Sequence, residues 1–187
     1  MNRGGAAAAP PRPGATRFDV IPVRPYSLAR TIERFARFPD AVDLADPSGG
    51  GSFRRLLPVR PAALLTVEAS GAPTSVVLHV RLDGPGARAP GARREAMRVL
   101  DRALGASPDV RPFECRFRGD PLLGSAIRKF RGLRVAAAPT VWEALVHAVL
   151  AQQINLAFAG SIRHALARAF GRRARIGGVT YFDFPRP

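Results

Sequence analysis

The chain has 187 residues, and its Lys and Arg outnumber its Asp and Glu by 29 to 14, a formal charge of +15. An excess of that size favours a polyanionic partner, either nucleic acid or an anionic membrane surface. At 47% apolar the chain is globular rather than disordered, and it is long enough to bury a core without staples. The single cysteine, Cys115, excludes an internal disulfide and a cysteine-based zinc site, and points to a reducing, cytoplasmic compartment. No apolar run reaches the roughly 18 residues that a membrane span needs. Nearly all the basic residues are Arg, with Lys129 the exception. A GC-rich genome produces that bias, but codon usage alone does not remove acids.

Residues 1–16, with a short alanine run between Pro and Gly, read as a disordered tail. An extended segment follows at Phe18–Val23. A first helix is expected at Ser27–Phe38, capped by Ser27, with Leu28, Ile32 and Phe35 on one face and Pro39 as its stop. Three strands are expected at Phe53–Val59, Ala62–Ala69 and Ser75–Leu82. The turn Ser70-Gly71-Ala72-Pro73 joins the last two as a hairpin. Ala92–Leu104 reads as a helix ended by Gly105, with Ala96, Leu100, Ala103 and Leu104 on one stripe. Residues 17–112 therefore read as an antiparallel sheet backed by helices.

Beyond Val110–Phe113 the pattern turns all-helical, and residues 113–187 are expected to form the first part of a helical domain. Asp120–Phe130 predicts a short helix. In Pro139-Thr140-Val141-Trp142-Glu143, Thr140 and Glu143 match a capping box. Trp142, Leu145, Val146 and Val149 then line one face. A second helix is expected at Leu156–Phe170, with Ile162, Leu166, Ala169 and Phe170 inward and Gly171 at its end. The polar break Gln152-Gln153-Ile154-Asn155 separates the two helices, and Asn155 is placed to cap the second. His79, His147 and His164 lack metal-ligand spacing. Cys115 reads as a buried small hydrophobe. No cofactor or metal is expected.

The run Ala148-Val149-Leu150-Ala151-Gln152-Gln153-Ile154-Asn155-Leu156-Ala157, preceded by Trp142-Glu143-Ala144-Leu145, resembles the paired helices of the helix-hairpin-helix (HhH-GPD) DNA glycosylases. It is most similar to the AlkA-type 3-methyladenine DNA glycosylase II. Ala151 stands where that family more often has Gly, and Asn155 where Ser is commoner. Arg24-Pro25-Tyr26, Gly119-Asp120-Pro121-Leu122-Leu123 and the closing Tyr181-Phe182-Asp183-Phe184-Pro185-Arg186-Pro187 fall in the family's order. The resemblance implies an α+β fold, with a TBP-like antiparallel sheet of the AlkA N-terminal type followed by the start of an all-α domain.

It also implies a base-excision repair enzyme that flips an alkylated base out of duplex DNA and hydrolyses its N-glycosidic bond. Gln153 is the expected wedge, with Gln152, Ile154 and Asn155 beside it. Tyr26 and Phe35 are candidates for an aromatic base pocket, against plain core packing. Arg172, Arg173 and Arg175 are candidates for phosphate contacts, against a solvated face. The family's hairpin and catalytic Asp would lie beyond Pro187. Asp183 is not assigned that role, so the chain is expected to be a truncated, inactive fragment. The expected partner is double-stranded DNA with damaged bases, met by a monomer with no membrane contact. Two rival readings are a non-catalytic basic nucleic-acid-binding module and a basic protein-interaction domain.

Overall fold

A computed structural model describes residues 14–152 and 155–187. Five strands form one antiparallel sheet in the order β1-β5-β4-β3-β2: β1 (Thr16–Val20), β2 (Leu44–Asp46), β3 (Ser52–Leu57), β4 (Ala63–Ser70) and β5 (Val77–Asp83). The β4–β5 hairpin turns where expected, with Ser75 N–H donating to Ala72 O at 2.8 Å. The short edge strand β2 was not anticipated. Its three residues are too few to show a period.

Helices α1 (Leu28–Arg37) and α2 (Ala92–Arg102) cover one face of the sheet. Leu28 and Ile32 of α1 and Ala96, Val99 and Leu100 of α2 pack on Phe53, Leu57, Leu65, Val67, Leu78 and Leu82 in one continuous core. Ser27 caps α1 as its sequence predicts, in an extended conformation, with its Oγ accepting from Arg30 N–H. Alternation puts Phe53, Arg55 and Leu57 on the α1 side of β3 and Leu56 on the other.

Four further helices follow: α3 (Arg111–Phe117), α4 (Leu123–Lys129), α5 (Val141–Leu150) and α6 (Leu156–Phe170). The segment after α4 returns across the sheet unit. Buried Arg134 donates to the carbonyls of Val23 and Pro25, both at 2.7 Å, and Ala137 N–H donates to Arg102 O.

The latter part of the chain is not all helical. Strands β6 (Arg173–Ile176) and β7 (Val179–Phe182) form a hairpin through Gly177-Gly178, both at positive φ. Two such residues suit a two-residue hairpin turn, and that glycine pair was the available signal. Ile176 and Tyr181 of the hairpin close over Leu56 and Leu64, so it seals the face of the sheet opposite α1. Gly171, at the end of α6, is required by close approach: a Cβ there would overlap the carbonyl oxygens of Asp183 and Ala167.

The inward face of α6 differs from expectation, and the apolar face of α5 is open to solvent. Leu145 and Val149 are each 56% exposed and Phe170 is 74% exposed, whereas Glu143, Ala159, Arg163 and Ala167 are buried. Both helices turn a charged side toward the sheet, because partners for those charges wait there. Trp142 lies at the surface, with its indole N–H donating to Pro185 O at 2.9 Å. Cys115 is exposed rather than buried, because α3 buries none of its residues.

Candidate nucleic-acid interface

Helices α5 and α6 meet in a polar elbow. Thr140 starts α5, its Oγ1 accepting from Glu143 N–H at 3.1 Å. Asn155 starts α6, its Oδ1 accepting from Phe158 N–H at 2.8 Å. Only half of the predicted capping box forms. The Glu143 carboxylate turns instead to Arg55 of β3, 2.5 Å from its guanidinium. Arg55 also holds Asp43 at 2.6 Å, and Arg163 of α6 reaches Asp43 at 2.9 Å, Glu143 at 3.3 Å and Asp40. These three carboxylates and two guanidiniums are nearly inaccessible to solvent. They tie both helices of the elbow to the sheet. Burial pulls the Arg163 guanidinium down to about 10, while the adjacent Asp43 and Glu143 carboxylates hold Arg55 above its ordinary value despite its burial.

Gln152 and Asn155 are exposed at the elbow, while Gln153 and Ile154, the expected wedge and its neighbour, lie outside the described residues. Beside the elbow opens a cavity of about 490 Å³. Ala151 and Leu156, on either side of the elbow, form one wall, and Arg34 and Phe35 of α1 with Phe38, its C-cap, form another, with His147 between. That volume suits a small planar ligand. His147 is held below its ordinary value near 6.5, first by burial and then by the Arg34 cation, so its ring is neutral at pH 7.

The sequence candidates separate here. Phe35 lines the cavity, its ring 5.5 Å from that of Phe53. Tyr26 does not: it is wholly buried, and its phenol donates to Leu104 O at 2.9 Å, which makes it a core residue. Arg172 is turned inward, donating to the carbonyls of Val59 and Leu57 with Asp183 at 3.5 Å, so its guanidinium is committed to joining β7 to the sheet. Arg173 and Arg175 remain exposed on β6. Asp183 is buried, its Oδ1 accepting from Phe184 N–H at 2.9 Å, and burial pushes its carboxyl above the usual range. It borders a separate cavity near the start of α5, shared with Thr140 and Trp142, away from the elbow.

The residues missed from the sequence are Arg34, Phe38 and His147. Arg34 lies in the last turn of α1 and Phe38 is its C-cap, and His147 falls between apolar positions of α5. Their signal is spatial, since it needs α1 laid against the C-terminal end of α5. No helix among the described residues is long and apolar enough to cross a membrane.

No family model matches the chain. Over 93 residues, half of its length, it is 41% identical to the DNA-3-methyladenine glycosylase of Bacillus subtilis, and that match spans 31% of the relative. Among solved structures it is similar to the 3-methyladenine DNA-glycosylase of Archaeoglobus fulgidus, with a TM-score of 0.68 and 18% identity. That likeness covers 91% of this chain and 56% of the other. MBOgg1 in complex with a low-affinity DNA ligand aligns with a TM-score of 0.65 at 21% identity, over 91% of this chain and 52% of that one. The 8-oxoguanine glycosylase/lyase of Clostridium acetobutylicum in its apo form follows at 0.64 and 14%, with the same coverage. The chain thus spans a little over half the length of these structures. Over the part that it spans, the chain shares the fold of these DNA glycosylase structures, and half of it is similar in sequence to a DNA-3-methyladenine glycosylase.

Proposed function

We propose that this chain is the base-flipping part of a DNA base-excision repair glycosylase, one that hydrolyses the N-glycosidic bond of alkylated bases of the 3-methyladenine type. The observation that carries the reading is a cavity of about 490 Å³ lined by Ala151 and Leu156, the residues on either side of the elbow. A glycosylase must draw its base out of the stack, at a cost of a few kcal/mol, and something must fill the gap. Gln153, with Gln152, Ile154 and Asn155, is the proposed plug, since a Gln amide can bond the edge of the estranged base. The flipped base would enter the neighbouring cavity, where Phe35 and Phe38 offer ring faces and the neutral His147 offers one donor and one acceptor. Tyr26 has no part in that pocket. The partner is double-stranded DNA with a damaged base, met by a monomer in the cytoplasm, and no metal or cofactor is invoked.

The test is a duplex with 2-aminopurine placed next to, or at, the flipped position, since that base brightens when it leaves the stack. The chain should raise its fluorescence, and Gln153→Ala should abolish most of the rise while weakening duplex binding only a few-fold. A chain that binds the duplex without brightening it would favour the rival reading, a non-catalytic basic nucleic-acid-binding module.

A further inference from the structure

With Arg172 committed to the sheet, the candidate phosphate contacts reduce to Arg173 and Arg175, on a hairpin packed at the far side of the sheet from α1. A second group of cations, without carboxylate partners among the described residues, lies on α1. Arg30, Arg34 and Arg37 fall at i, i+4 and i+7 on α1, which places them along one face of the helix. Arg34 borders the cavity at the elbow. At the other end of the row, the Arg30 guanidinium donates to the carbonyls of Lys129 at 2.6 Å and Arg131 at 3.1 Å. Those bonds dock against α1 a turn whose own Lys129 and Arg131 side chains point to solvent. Among the described residues no carboxylate pairs with any of these five cations, and Glu33 is the one acid on α1. Cations gathered along one helix face and the turn beside it, without carboxylates among them, suit an extended external anion.

We infer that Arg37 and Arg34 on α1, with Lys129 and Arg131 on the turn that Arg30 docks beside them, form the track along which the phosphate backbone of the flipped strand runs. The inference rests on the proposed function and adds to it the surface that would hold the DNA. From Arg30 to Arg37 the helix rises about 10 Å, close to three base steps of one strand. The row is therefore long enough to hold consecutive phosphates on one side of the plug. Backbone contacts of this kind fix register without reading sequence.

The slope of log binding constant against log salt concentration, for the 187-residue chain on an undamaged duplex, tests it. Each phosphate contact contributes about −0.9 to that slope. The triple variant Arg37→Gln/Lys129→Gln/Arg131→Gln should flatten it by about 2 to 3, and the single variant Arg37→Gln by about 1. Arg37→Lys, which keeps the charge, should leave it unchanged, and Arg173→Gln/Arg175→Gln should flatten it less than the triple variant. An unchanged slope in both the triple and the single variant overturns the track. If 2-aminopurine still brightens in those variants, the base-flipping reading survives that loss. A wild-type chain with no salt-dependent duplex binding overturns both.

Discussion

Arg55 sits in the middle of a strand, between Phe53 and Leu57, where a charge would be costly if left alone. It persists because Asp43 and Glu143 meet its two nitrogens. Replacing it with Met leaves two buried carboxylates short of a partner, and breaking a pair of this kind costs about 3–5 kcal/mol. Arg55→Met is therefore expected to melt well below the wild type in a thermal scan, by roughly ten degrees for a chain of this size. A loss of a degree or less would show that the carboxylates find other partners. His147 gives a second prediction. Its folded value is depressed, so between that value and about 6.5 the unfolded chain binds more protons. Its contribution is complete above about pH 6.5 and is lost as pH falls through the depressed folded value. His147→Gln should make the melting temperature fall less steeply than the wild type's between pH 7.5 and 5.5. Parallel curves would refute this.

At the scale of elements, the caps were the most legible features. Ser27, Thr140 and Asn155 each accept the N–H three residues on, because a short side-chain oxygen ahead of a helical run has few other uses. Thr140→Ala should cost about 1 kcal/mol, read as a lower denaturation midpoint in urea, and Asn155→Ala a similar amount. What the sequence hid was orientation. The apolar stripe of α6 suggested which side points inward, yet the buried sides of α5 and α6 carry Glu143 and Arg163. Periodicity ranks faces by hydropathy and is blind to a charge whose partner lies far away in the chain, here 88 residues for Arg55 and Glu143. Hairpin β6–β7 was missed for a simpler reason: strands of four residues carry too little pattern to outweigh a helical neighbourhood.

For the whole molecule, the architecture of sheet followed by helices was readable from strand alternation, the Ser70–Pro73 turn and the Gln-Gln break. The cavity was not, because its walls come from α1, α5 and α6, and only their packing brings Phe35, His147 and Leu156 together. The same packing has a mechanical consequence. Glu143 precedes the elbow by eight residues (143 to 151) and Arg163 follows it by eight (155 to 163). Both helices are thus gripped about 12 Å below their shared tip, at matching depth. A fork clamped evenly at the base of its two tines resists both splaying and tilting. A sideways push on the tip is taken up by strand β3 and the sheet behind it rather than by bending of either helix.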